Sequence, residues 1–452
     1  MQFIIPTILI FVLGALAIVY PPAIACLCVI AYNFQTPGIT QAFVNYSRLP
    51  ELCFAGICFL AVYKAVRSIK RGNRAAVTAN RAYILSIVAI AVFVWMNISL
   101  YLGGGGLVGA LRSSLQSGVL GVVFAAAYYN DRLAKSLFVF TVGAHLLLAF
   151  ILVTFPGGPL SLFGAENVAS IDPTDVGILA TGIGKASGQF SNPVQLSLYG
   201  AIGIVLGVYL LAYKRGWLAR IAGMGVLLLG MWASYVTVER AVWIGCIIGL
   251  FTLLLPLTAK SWGRAVYVGL IYAVLSLVCV AMVSDSSTAM GSLTSHFSDM
   301  VNNKYRVSAA EGSVDILFYQ PIFGKSGDVQ EVVDVVGGAP HQSFYFFAVV
   351  YGIPAGIGVL VMTWWVFASK LPRRMILAGR DFTRYDRYLA HAIGWVVLLL
   401  ALSNNMSAGM LGWICLGYAC VPWAYSSPVR KRARSFARGP LVSRKRVGTL
   451  GP

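Results

Sequence analysis

A chain of 452 residues with 58% apolar and only 11% charged residues, and a mean hydropathy of +0.79, is too apolar for an ordinary water-soluble domain and reads as a polytopic membrane protein. Its net charge of +19 calls for no nucleic-acid partner, because Lys and Arg gather in short segments between apolar runs, where an anionic cytoplasmic leaflet attracts them. No Gly-rich phosphate loop followed by Lys and Ser or Thr occurs, so ATP and nucleotide sugars have no recognisable site.

Apolar runs long enough to cross a hydrocarbon core of about 30 Å as helices recur along the chain. Twelve spans are predicted, over 4–29, 52–66, 83–102, 107–129, 136–154, 195–213, 217–236, 241–257, 265–283, 343–366, 388–402 and 406–425. The first contains Pro21-Pro22, which kinks one helix or divides it into two. Met1-Gln2-Phe3 lacks the basic start of a cleavable leader, so this segment is expected to be retained. Basic residues cluster at 64–81, 132–135, 214–220, 260–264, 370–387 and 430–446, which fall on alternate loops and are expected to be cytoplasmic. Both termini then lie inside, while 33–49, 156–194 and 284–342 face outward, and that outer side carries all the acidic residues, Glu51 and Glu239 at span ends included, except Asp131, Asp381 and Asp386. Residues 1–427 form the expected transmembrane domain, with outer loops at about 156–194 and 284–342. Residues 428–452 form a basic cytoplasmic tail against lipid headgroups.

The eight cysteines lie in or beside apolar runs and read as small hydrophobes. Cys26 and Cys28 do not share a helix face, and His145, His296 and His391 are scattered, so no metal and no cofactor are expected. The Gly103–Gly106 run reads as a flexible outer turn.

Against this background the outer basic residues Arg48, Arg112, Lys185, Arg240, Lys304, Arg306 and Lys325 break the sidedness rule. Arg112 is placed inside an apolar span and Arg240 opens another, where a buried charge costs about 2.5–3.5 kcal/mol on insertion scales. Arg240 either pairs with the adjacent Glu239 or serves an anion at the outer leaflet. For a phosphate or diphosphate, arginine supplies a planar fork of two charge-assisted hydrogen bonds. His341, in Gly337-Gly338-Ala339-Pro340-His341-Gln342-Ser343, sits where a polar segment meets the 343–366 span, and can accept a proton from a substrate hydroxyl there.

Four motifs in chain order resemble the O-antigen ligase and O-antigen polymerase superfamily, which includes bacterial protein O-oligosaccharyltransferases. They are Lys185-Ala186-Ser187-Gly188-Gln189-Phe190-Ser191-Asn192-Pro193, and Arg240-Ala241-Val242-Trp243, and Arg306 with Pro321-Ile322-Phe323-Gly324-Lys325-Ser326-Gly327, and His341-Gln342-Ser343 with Tyr351-Gly352-Ile353-Pro354-Ala355-Gly356. The sequence departs from the family pattern at Lys185 (Arg there), Val194 (a second Asn) and Gln342 (Asn), and has one extra residue before Trp243.

The resemblance implies an all-α GT-C-type membrane glycosyltransferase of about 12 transmembrane helices with a helical periplasmic loop, in the bacterial inner membrane. It implies an undecaprenyl-diphosphate-linked glycan as donor and an acceptor glycan, either lipid A-core or a lipid-linked repeat. Arg240 and Arg306, helped by Lys185 and Arg112, would hold the diphosphate, and His341 would deprotonate the acceptor in a metal-independent, inverting transfer. A ligase-type assignment leads, with an O-antigen or exopolysaccharide polymerase second. From another class, a flippase or transporter of lipid-linked glycans shares the twelve-span layout but not the clustering of ionisable groups on the outer face.

Overall fold

The computed structural model describes residues 81–128, 132–155, 193–214, 216–237, 239–258, 304–336, 342–368, 382–403 and 410–420, together with Ala15, Val19, Tyr20, Gly56, Tyr63 and Val266. Among them the regular structure is entirely α-helical. The helices are α1 (Arg81–Leu102), α2 (Leu107–Gln116), α3 (Gly121–Tyr128), α4 (Arg132–Thr154), α5 (Pro193–Tyr213), α6 (Trp217–Thr237), α7 (Arg240–Thr258), α8 (Lys304–Tyr319), α9 (Val329–Val336), α10 (Ser343–Tyr351), α11 (Ile353–Ala368), α12 (Phe382–Ser403) and α13 (Met410–Cys420). Four stretches are long and apolar enough to cross a membrane: Ile84–Leu102, Ser136–Thr154, Pro193–Tyr213 and Trp217–Thr237. The predicted spans 4–29, 52–66 and 265–283, the outer residues 156–192 and the tail from 428 lie outside the described residues.

Helix α5 is the axis of the bundle, buried along nearly its whole length and packed against α4, α6, α7 and α12. Its closest partner is α6, and glycines make that approach feasible. A Cβ at Gly207 would lie 2.8 Å from the Gly223 carbonyl oxygen, and one at Gly230 would lie 2.7 Å from the Gly200 carbonyl oxygen. Lipid supplies no hydrophobic drive between helices, so such small-residue seams let backbones gain dispersion contacts instead. A second seam sets Gly245 and Gly249 of α7 against Val396 and Ala392 of α12, and a third sets Gly121 of α3 and Gly417 of α13 against each other's helices. On its far side α6 exposes Trp217, Leu218, Ile221, Met224, Leu228, Met231 and Tyr235, a helical-period stripe of the kind that faces lipid.

These contacts also fix relative directions. Gly200 and Gly207 meet α6 in reverse order, as Gly245 and Gly249 meet α12, so both pairs are antiparallel; Gly121 with Ile414 and Gly417 with Val122 make α3 and α13 parallel. Trp95 reaches Tyr351, and Gly358 reaches Val88 and Val92, so α1 and α11 are antiparallel. The alternating basic loops require these same relative directions.

Two predicted spans are corrected. The run 107–129 is not one helix: α2 ends at Gln116 and α3 begins at Gly121. Gly118 adopts φ 73°, the Ser117 hydroxyl donates to the Ser114 carbonyl, and the Gly118 amide donates to Leu115, which together close α2 with a left-handed glycine. Arg112 therefore lies on a short helix with Leu107, Val108 and Leu111 exposed, not within a continuous span. The run 343–366 is likewise divided at Gly352 into α10 and α11, and the chain doubles back there, so that Gly356 packs on Phe344 and Ala348. Gly352 has φ 97° and ψ 161°, a conformation open essentially to glycine alone. Pro354 then falls in the first turn of α11, where its missing N–H costs no helical hydrogen bond.

Candidate functional site

The break at Gly352 is where two of the sequence motifs meet. A helix that ends inside a protein leaves its last carbonyls without intrahelical partners, and at the end of α10 the turn Pro321–Gly327 supplies them. The Lys325 amide donates to the Val349 carbonyl (2.9 Å) and the Gly327 amide to Val350 (2.9 Å), while the Ile353 amide at the start of α11 donates to Pro321 (2.8 Å). Gly324 (φ 57°) and Gly352 approach so closely that a Cβ on the first would collide with the Val349 carbonyl oxygen, and one on the second with that of Ile322. The glycines of Pro-Ile-Phe-Gly-Lys-Ser-Gly and of Tyr-Gly-Ile-Pro are thus two halves of one backbone clasp.

Helix α1 closes the clasp from the side. The Trp95 indole N–H donates to the Tyr351 carbonyl (3.0 Å), its ring stacks on Phe323 (centroids 5.4 Å apart, 6° between planes), and the Ser99 hydroxyl donates to the Phe323 carbonyl (2.9 Å). Gly103 at the end of α1 lies against Ser326, which is held in the left-handed region at φ 52°. The turn then launches α9: the Asp328 carboxylate accepts from the Glu331 amide (2.9 Å) as an N-cap, and Lys325 Nζ pairs with Glu331 (2.7 Å). One turn therefore holds the start of α9 and the end of α10. The chain segment joining the other ends of those two helices contains His341.

His341 and Lys185 lie outside the described residues. Arg240 is the first residue of α7 and Arg306 belongs to the first turn of α8. The motif around Arg240 has a visible anchor, since the Trp243 indole donates to the Ser234 carbonyl near the end of α6 (3.2 Å) and ties the start of α7 to that helix. Arg112 is half-buried on α2. Lys325, an outer cation in the sequence, is occupied by Glu331.

Trp95 and Ser99 are the residues that sequence reasoning missed. They lie in an unremarkable apolar run more than 200 positions from the turn they hold. The one available signal was their polar atoms, a single indole and a hydroxyl in the last two turns of a span. His145 is a structural residue: it is buried, its ring stacks on Tyr199 (4.7 Å), and its Nδ1 donates to the Thr141 carbonyl (2.8 Å). No group of three or more His, Cys, Asp and Glu side chains that could hold a metal occurs among the described residues.

Fold and site together define a helical protein with membrane-compatible spans and a glycine-built clasp at the end of one of them. No protein-family model matches the chain, and no curated protein matches it.

Proposed function

We propose that this chain is a membrane glycosyltransferase of the O-antigen ligase and polymerase class, built on about 12 transmembrane helices in GT-C fashion, with both termini in the cytoplasm and its reaction on the periplasmic face of a bacterial inner membrane. The observation that carries the reading is the clasp. Two motifs singled out for their resemblance to that class interlock through three backbone hydrogen bonds, around the two helices that flank His341.

In the proposed reaction Arg240 and Arg306, with Lys185 and Arg112, bind the diphosphate of an undecaprenyl-diphosphate-linked glycan. The acceptor hydroxyl attacks the anomeric carbon as the bond from that carbon to the diphosphate oxygen breaks, which inverts the centre. His341 takes the hydroxyl proton, and the electron pair leaves on undecaprenyl diphosphate, whose charge the guanidinium groups neutralise. Relative to a flippase, this reading accounts for the outer cations and the histidine that the sequence assigns to one side of the membrane.

The test is the glycan profile of a deletion strain complemented with wild type or with His341→Ala. Polymer accumulating on undecaprenyl diphosphate identifies a ligase, and single repeat units identify a polymerase. The His341→Ala protein is expected in the membrane at normal abundance with transfer lost. Full transfer by that variant removes the base and with it the mechanism.

A further inference from the structure

The C-terminal end of α8 and the turn that follows expose four large apolar side chains: Phe318 at 79%, Tyr319 at 80%, Ile322 at 54% and Val314 at 52%. Exposed clusters of this kind on a protein otherwise able to bury apolar groups mark a contact surface. The two rings touch edge to face at 5.7 Å, and the corner that carries them is held rigidly, because Pro321, Phe323, Lys325 and Gly327 are all hydrogen-bonded to α1, α10 or α11.

The level of the corner decides what it meets. Phe323 and Ser326 contact Trp95, Ser99 and Gly103, the last two turns and the end of α1, and that helix exposes Val94, Ile98, Tyr101 and Leu102 along the same stretch. Ile84–Leu102 is one of the four stretches able to cross a membrane. The corner thus lies level with the end of α1, at the depth where a span leaves the hydrocarbon, the zone where aromatic rings with one polar edge concentrate. Of the exposed acids on α8, Glu311 lies two turns before Phe318, while Asp315 lies one turn before Phe318 and Tyr319, at the rim of the patch.

We infer that Val314, Phe318, Tyr319 and Ile322 form an interfacial anchor that seats the end of α8 in the headgroup and upper acyl region of the leaflet at which α1 ends. The partner is the phospholipid bilayer itself. A carbohydrate-stacking platform would use the rings but has no need of the two aliphatic side chains beside them.

The test places the photoreactive residue p-benzoylphenylalanine singly at Phe318, Tyr319, Glu311 and, as a lipid-facing reference, Ile98. Each full-length protein is reconstituted in vesicles of phosphatidylethanolamine and phosphatidylglycerol, without and, in a parallel sample, with an added oligosaccharide, irradiated, and read by intact mass. Adducts of one phospholipid at 318 and 319, in yield comparable with 98 and absent at 311, are expected. All four positions are exposed, so the substitutions leave the fold intact, and a monodisperse elution profile checks this. Lipid adducts at 98 with none at 318 or 319 overturn the anchor, as does an adduct at 318 or 319 that forms only when a glycan is supplied.

Discussion

Gly352 shows how much depends on a missing methylene. Its φ of 97° with ψ of 161° and its contact with the Ile322 carbonyl oxygen leave no room for a side chain. Gly352→Ala is expected to cost about 1–3 kcal/mol from backbone strain alone, and more from the collision, seen as a lowered unfolding temperature in detergent together with lost transfer. Trp95→Phe preserves the stack on Phe323 but removes the donor to Tyr351, so its effect should be milder, about 0.5–1.5 kcal/mol. Equal damage from the two changes would mean that the Trp95 hydrogen bond to Tyr351, and not the glycine-permitted close approach, organises the region. The charged residues admit a sharper test. Arg240→Lys keeps the charge but loses the fork, so donor binding should weaken while the unfolding temperature stays within about 0.5 kcal/mol equivalent of wild type. Unchanged donor affinity with lowered stability would assign Arg240 to pairing within the protein.

At the scale of helices, the length of an apolar run was a good guide to where a helix lies and a poor guide to whether it is continuous. The predicted 195–213 and 217–236 agree with α5 and α6 to within two residues at every end, because uniform apolarity with few charges leaves a helix as the only way to satisfy the backbone. The breaks at Gly118 and Gly352 were missed because hydropathy averages over a window, whereas a break is one residue with an unusual φ. The motifs of the candidate site were legible as strings, but their docking was not, since Trp95 and Ser99 carry no local sign of their distant partner.

The seams between helices give a paired prediction. Gly230→Leu forces a side chain from a position whose Cβ would already lie 2.7–2.8 Å from α5 backbone atoms, and should destabilise by about 1–3 kcal/mol or more. Gly225, on the same helix, has nothing within 4 Å of its Cβ position, so Gly225→Ala should leave stability unchanged or raise it by up to about 1 kcal/mol. Thermal unfolding of the two variants side by side separates packing from propensity. Comparable losses in both would deny that the α5–α6 glycines form a packed seam.

For the whole molecule, contacts between helices constrain sidedness. The antiparallel and parallel contacts fix the two helices of each pair relative to one another, and Gly103 against Ser326 puts the end of α1 and the clasp at the same face. A reporter fused after Gly104 therefore reads the side of the clasp as well as its own. Lys and Arg crowd the opposite loops, so alkaline phosphatase fused after Gly104 or Phe155 should be active, and a fluorescent protein fused after Gly216 or Pro452 should fluoresce. Because the predicted spans alternate along one chain, the fusions should agree as a set. Fluorescence from a fusion after Gly104, with inactive phosphatase at the same place, would put the clasp in the cytoplasm. His341, tethered between two helices that the clasp holds, could then not serve a periplasmic donor, and the glycosyltransferase reading would fall with it.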